Sequence, residues 1–241
     1  MPAEVGFLAA LRRWAGSARG RGPEKAADAL VYRGPAALPG CPEAVARSLA
    51  EVGLRPRFVG PREPVRLSRE SLRGCRVYAQ PGGPDLDDAW PHLAGGADLL
   101  REYVRGGGRY LGFCLGGYLA GKTPGFGLLP GDTDRYISSP GATVRHEGDA
   151  LVTVTWAGVP RQVFFQDGPV FDVDESGVDV LARYDNGQVA ALVCGFGAGT
   201  VGVVGPHPEA TDDWYDDAGL TPPEPAATDL ARDLVATVLA R

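Results

Sequence analysis

The chain has 241 residues, with 35 glycines, 21 prolines and a formal net charge of −6 at neutral pH. That length suits one large domain or two small ones. The acidic balance, without any Lys/Arg-rich block, argues against nucleic acid as a partner, and no stretch reaches the roughly 18–20 apolar residues that a membrane-spanning helix needs.

At the N-terminus VGFLAAL precedes Arg12 and Arg13. A secretory signal has the reverse order, charge first and then a longer apolar run. Residues 1–28 are read as a short amphipathic helix and a Gly/Arg linker, and residues 29–241 as the folded domain. ALVYRG (29–34) has the apolar run of a buried strand. PEAVARSLAEVG (42–53) follows with apolar residues at helical spacing and a closing glycine. RPRFVG (55–60) and RVYAQPGG (76–83) read as the next two strands, the second ending in a Pro-Gly-Gly turn. ADLLREYVRGGG (97–108) reads as a helix stopped by glycines, RYLGFC (109–114) as a strand, and LGGYLAG (115–121) as a helix start.

This alternation implies βαβ units and a parallel sheet. Ligands of such sheets sit outside the carboxyl ends of the strands, so the loops after Tyr32, Ala79 and Phe113 are expected to share one edge. The second half changes character. DALVTVTWAGV (149–159), RQVFFQDG (161–168), VLARYDNG (180–187) and QVAALVCGFG (188–197) read as strands joined by tight turns, with Asn186-Gly187 a hairpin signal. TVGVVG (200–205) is a further strand and leads into PHPEA. The tail TDLARDLVATVLA (228–240) reads as a helix with Thr228 as its N-cap and one apolar face.

Cys114 ends a strand and meets Leu-Gly-Gly, the pattern of a nucleophile elbow, where a sharp reversal needs small residues such as Gly112, Gly116 and Gly117. A thiol at a helix N-terminus is favoured as thiolate, the reactive form. A buried structural cysteine is the alternative, and the flanking glycines favour the nucleophile. His207 lies at the end of strand 200–205, positioned to accept the thiol proton, and Glu209, two residues on, to orient the imidazole. The Leu115 amide and the Gly82-Gly83 loop are candidates for an oxyanion hole. Tyr32, Arg33, Asp134, Arg135, Tyr136, Gln166 and Asp167 fall in or near loops that could rim a pocket, where an arginine would hold a substrate carboxylate.

Cys41, Cys75, Cys114 and Cys194 are dispersed, with no CxxC pair, and the other two histidines, His92 and His146, read as surface residues. That pattern offers neither a zinc site nor a dense disulfide framework. A cytoplasmic protein without metal or cofactor is the expectation. GFGAGT (195–200) mimics a dinucleotide loop, but a strand follows it where a helix is required.

GFCLGG with a later HPE resembles the class I glutamine amidotransferase superfamily, whose triad is Cys, His and Glu in that order. More closely, YRGPAALPGC, YAQPGGPDL, YVRGGGRYLGFCLGGYLAG, FFQDGP, YDNG and GPHPEA resemble the biotin-protein ligase N-terminal domain family over residues 29–220. The resemblance implies a flavodoxin-like three-layer α/β sandwich with a mainly parallel sheet and a hairpin-rich second half. It implies a triad of Cys114, His207 and Glu209, and an oxyanion hole from Gly82, Gly83 and the Leu115 amide. Glutamine-using members usually carry Gln four positions after the cysteine. Here Tyr118 stands there as a substrate-binding candidate, a departure that leaves open whether glutamine is the substrate. The stretch after residue 220 is too short for a ligase domain, so biotin chemistry is not expected.

The expected function is a cysteine-dependent hydrolase or amidotransferase-like enzyme that cleaves a carboxamide or peptide-like C–N bond through an acyl-enzyme. Two other readings stay open. One is a DJ-1-like binding or redox-sensing module in which Cys114 is oxidised. The other is a subunit supplying ammonia to a separate synthase. The partners in view are a small or peptide-like amide, that synthase, and further copies of the chain.

Overall fold

Short runs that are apolar on both faces make strands that must be covered from two sides, and the chain supplies helices for both. The computed structural model describes residues 28–241; apart from Asp28, the expected N-terminal helix and linker lie outside the described residues. In chain order the first half runs β1 (Ala29–Tyr32), α1 (Cys41–Glu51), β2 (Pro56–Val59), α2 (Arg69–Arg73), β3 (Val77–Gln80), α3 (Leu86–Ala89), α4 (Ala97–Arg105), β4 (Arg109–Phe113) and α5 (Leu115–Ala120). The second half runs β5 (Gly131–Arg135), β6 (Ala150–Trp156), β7 (Val159–Phe165), β8 (Pro169–Val173), β9 (Val178–Tyr184), β10 (Val189–Phe196), β11 (Gly199–Val204), α6 (Asp212–Asp217) and α7 (Thr228–Ala240).

The main sheet has nine strands in the order β2-β1-β3-β4-β11-β10-β9-β6-β7. From β2 to β11 every neighbouring pair is parallel. From β11 to β7 every pair is antiparallel. Alternation along β1 sends Ala29 and Val31 to one face, where Val45, Leu49, Leu230 and Leu234 of α1 and α7 cover them. Leu30 and Tyr32 go to the other face, with Leu100, Val104 and Leu119 of α4 and α5. The result is the three-layer α/β sandwich that the resemblance implies. Fully burying one such leucine is worth about 1.5–3 kcal/mol.

Asn186-Gly187 does turn β9 into β10. Gly187 alone of the two has positive φ, at 84°. The turn is followed by a bulge at Val189–Ala191, which sends Ala190 and Ala191 in succession to the same face of the sheet.

Several elements depart from the sequence reading. Thr228 is not the N-cap of α7; Ala227 is, without a side-chain cap bond, and Thr228 opens the helix. The short helices α2, α3 and α6 carry no long apolar periodicity and were absent from the expectations. The same holds for β5, whose sequence GDTDR is polar. It pairs antiparallel with β8 in a separate two-stranded sheet.

Candidate active site

The parallel half of the sheet ends β4 and β11 side by side, because Phe113 pairs with Val204. Whatever follows these strands is therefore brought together. Cys114 follows β4, and its amide donates to the Val204 carbonyl at 2.9 Å. It is the N-cap of α5, with φ 49° and ψ −105°, a region that a non-glycine residue occupies only under strain of about 1–3 kcal/mol. The first amides of a helix have no partner within it, so this turn holds the thiol beside the first N–H groups of α5. The sulfur is 7% exposed with its residue and lies 3.5 Å from the Gln166 carbonyl oxygen.

His207 follows β11. Its amide donates to the Phe164 carbonyl at 2.8 Å, which ties it to β7, and Ala210 donates back to the His207 carbonyl. That tight turn returns the Glu209 carboxylate to the imidazole, with Nδ1 and Oε1 2.9 Å apart. Both residues are buried. Burial alone would push the imidazolium down. Electrostatic and hydrogen-bond interactions with Cys114 and Glu209 oppose it and prevail, and His207 is raised well above its ordinary value. The other carboxylate oxygen of Glu209, Oε2, is buried and meets no donor among the described residues.

Two cavities open on Cys114. The first, of about 260 Å³, holds Cys114, His207, Gly83 and Cys41, with Phe164 and Trp214 as an aromatic wall. Its rim carries Asp149, Asp213 and Asp217. The second, of about 480 Å³, shares Cys114 and Gly83 and adds Leu115, Tyr118, Arg135 and Asp167. Gln166 lines both. Tyr118 donates to the Asp167 carbonyl at 3.1 Å. A further cavity of about 460 Å³ lies beside α2 and α4, away from Cys114 and His207.

The structure thus gathers Cys114, His207, Glu209, Gly82, Gly83, Leu115, Tyr118, Arg135, Gln166 and Asp167 into one region. Gly82 packs on His207 and Cys41: a Cβ there would fall 2.7 Å from the imidazole Cε1 and 3.3 Å from the Cys41 sulfur. Four rim candidates lie outside both cavities. Tyr32 is buried inside the sheet's second face. Tyr136 is buried, with its hydroxyl on Asp185 at 2.7 Å. Arg33 is held by Glu63 and Glu43 over the Phe58 ring, beside a different cavity. Asp134, also named as a rim residue, lines neither cavity. Arg135 is not free to take a substrate carboxylate, since its guanidinium already binds Asp167 and Glu147. That pair holds the Arg135 charge firmly, yet burial still lifts the Asp167 carboxyl above its ordinary range.

Sequence reasoning missed Cys41, Phe164 and Trp214. Cys41 begins α1 and Trp214 sits in α6, where DDWYDD flanks two aromatics with acids. Burial, helped by the negative charges nearby, pushes the Cys41 thiol far above its ordinary value and keeps it protonated. Among the described residues no group of three His, Cys, Asp or Glu could hold a metal ion, and no helix is long and apolar enough to cross a membrane.

Residues 27–135 match the family described as biotin-protein ligase, N terminal. Among curated proteins, the chain is similar to the imidazole glycerol phosphate synthase subunit HisH of a Cyanothece species, 29% identical over 99 residues, or 38% of this chain and 47% of that protein. The same subunit from a Synechocystis species is 32% identical over 110 residues, covering 41% and 49%. The chain spans about half the length of these relatives. Among solved structures it is similar to a glutamine amidotransferase at 21% identity and a TM-score of 0.58, covering 79% of this chain and 99% of that one. A glutamine amidotransferase from Thermotoga maritima gives 14% identity and a TM-score of 0.59, covering 90% and 100%.

Proposed function

We propose, from the premise that this chain has a class I glutamine amidotransferase-like fold, that it is a cysteine-dependent amide hydrolase acting through Cys114, His207 and Glu209. One observation carries this reading. A strained cysteine at a helix start faces the same cavity as a buried histidine whose far nitrogen is held by a buried carboxylate.

In this reading the Cys114 thiolate attacks the carbonyl carbon and forms a C–S bond as the carbonyl electrons move onto oxygen. The Gly83 and Leu115 amides receive that oxyanion, with Gly82 shaping the loop. The oxyanion collapses, the C–N bond breaks, and the nitrogen takes the proton from His207. A water then loses a proton to His207 and attacks the thioester, the C–S bond breaks, and acid and thiolate are released. The sum is amide plus water giving acid plus amine. Tyr118, Arg135, Gln166 and Asp167 bound the acyl side of the pocket, since His207 lines only the other cavity.

The reading fixes a pH dependence. His207 must carry a proton to release the amine, so kcat/KM falls as pH rises through its raised pKa. Replacing Glu209→Gln removes one of the charges that hold it up. The alkaline limb should move to lower pH, with a rate loss of about 10²–10⁴; a pH–rate profile of both proteins checks this. The sign for stability follows. A histidine held above its unfolded value of about 6.5 contributes stability in full below that pH and loses it as pH rises through the folded value.

Gly82→Ala is expected to displace the imidazole, not the backbone, because the atom it meets belongs to a side chain. Turnover should fall about 10²-fold, the cost of misplacing a reacting group by about 1 Å, and Tm should drop as well, because the imidazole is buried and held by Glu209. A melting curve beside a rate assay separates the two effects.

The relatives' description as a synthase subunit favours a second reading, in which the ammonia released passes to a separate synthase. Activity that appears only when a co-purifying protein is present would select it.

A further inference from the structure

Gln80 is as fully buried as Glu209, at 0% against 1% exposure. It closes β3 opposite Gly112 of β4 and leads straight into the turn Pro81-Gly82-Gly83. A buried amide costs free energy unless both its ends are paired, and here both are. The Tyr78 hydroxyl donates to Gln80 Oε1 at 2.8 Å, and Gln80 Nε2 donates to the Ala36 carbonyl at 3.0 Å. The neighbours fix which way the amide points: the Ala36 carbonyl can only accept, so the nitrogen faces it and the oxygen faces the phenol. Burial keeps that phenol protonated.

What Gln80 reaches lies against both proposed oxyanion donors. The Ala36 carbonyl backs Gly83 so closely that a Cβ there would fall 2.9 Å from its oxygen. Beside it, the Leu38 amide donates to the Gly82 carbonyl at 3.2 Å. On the other side, the Gln80 main chain backs the first turn of α5, where a Cβ on Gly116 would fall 2.1 Å from the Gln80 carbonyl oxygen. That turn begins with Leu115, and the Tyr110 hydroxyl holds its Gly116 carbonyl at 2.7 Å. The Tyr78 and Tyr110 rings stack with centroids 6.1 Å apart, so the phenols that anchor the two sides are packed on each other. We propose that Gln80 is the positioning residue of the oxyanion hole: it locks the Gly83 turn, through Ala36, against the start of α5 that carries the Leu115 amide. It touches no reacting atom and acts by holding two donors in place while charge develops between them. This rests on the hydrolase reading above and adds to it the part that sets the oxyanion geometry.

Two reagents separate this role from plain support of the fold. With p-nitrophenyl acetate the thiolate forms an S–C bond, the carbonyl oxygen passes through an oxyanion, and the C–O bond breaks to release nitrophenolate, which needs no proton from His207. Iodoacetamide alkylates the same thiolate at a saturated carbon, with iodide leaving and no oxyanion formed. Both rates are measured on the full chain, and the rate of Cys114→Ala with each reagent is subtracted. Gln80→Met keeps the length of the side chain and removes both hydrogen bonds. It should slow acylation by about 10–10²-fold, less than the roughly 10²–10³ for outright loss of a donor, and leave alkylation and its pH profile within about twofold. Gln80→Glu supplies the rescue. Protonated, its carboxyl accepts from Tyr78 and donates to the Ala36 carbonyl as the amide does; ionised, it has no donor to give. The ratio of acylation to alkylation should therefore rise toward the unmutated value as pH falls in Gln80→Glu, and stay low in Gln80→Met. The glutamate protein carries the comparison alone if the methionine protein does not fold. Acylation and alkylation that fall together, or a Gln80→Glu ratio that does not respond to pH, overturns the inference. Acylation of the unmutated chain no faster than that of Cys114→Ala overturns the hydrolase reading and this inference with it. Acylation at Cys114 with an unchanged ratio in the Gln80 variants overturns the inference alone.

Discussion

Cys114→Ala should lower amide hydrolysis by about 10⁴-fold or more, the scale seen when a nucleophile is removed from a coupled triad, while the protein stays folded. The Cys114 backbone allows a sharper form of this prediction. With φ 49° and ψ −105°, the strain falls on any residue with a Cβ, alanine included. Cys114→Gly relieves it, at about 1–3 kcal/mol, and gives back about 0.5–1 kcal/mol in chain entropy. The glycine variant should therefore be inactive and melt higher than the alanine variant, by a few degrees at about 2–4 °C per kcal/mol for a chain of this size. Activity and Tm measured on the three proteins decide the matter. Unmutated rates in Cys114→Ala would end the nucleophile reading. Equal melting of the two variants would mean that the elbow carries no strain.

Gly112→Ala should be strongly destabilising. Its Cβ would fall 2.3 Å from the Gly116 carbonyl oxygen and 2.5 Å from the carbonyl carbon. These are backbone atoms in the first turn of α5, and they cannot rotate aside as a side chain can. The Gly116 carbonyl is also pinned by the Tyr110 hydroxyl at 2.7 Å. Overpacking of this kind costs about 3 kcal/mol at the upper end of the usual range. Tm should drop by about 6–12 °C, and activity should go with it because Cys114 sits between the two glycines. Gly195→Ala is the control. Its Cβ meets nothing within 4 Å, and in the exposed part of β10 it should leave Tm unchanged or slightly raised. If both variants melt alike, close approach at the elbow is not what fixes Gly112.

The inner parallel strands were legible because each is buried on both faces and shows as a mostly apolar run, as in ALVY and RYLGF. The pairing of His207 with Glu209 was legible for a local reason: one tight turn spans both. Cys41 and Trp214 were not, because loops from opposite ends of the chain carry them to the cavity and no spacing records that. β5 was hidden by its polarity, since it gains its place from pairing with β8 and not from a buried face. Tyr32 and Arg33 show the opposite error. Position after a strand end was read correctly, but the alternation of β1 turns Tyr32 into the core, and Glu43 and Glu63 claim Arg33.

The place of β11 has a consequence for how the molecule comes into being. It is the last strand in the chain, yet it lies in the middle of the sheet, between β4 and β10. As the chain leaves the ribosome, β1 to β4 can assemble early, but β4 keeps an unpaired edge until the β10–β11 hairpin arrives. Cys114 stands at the end of that waiting strand and His207 just beyond the arriving one. A nascent chain that carries the thiol therefore has no His207 beside it, and the proposed pair is joined only once β11 has been made.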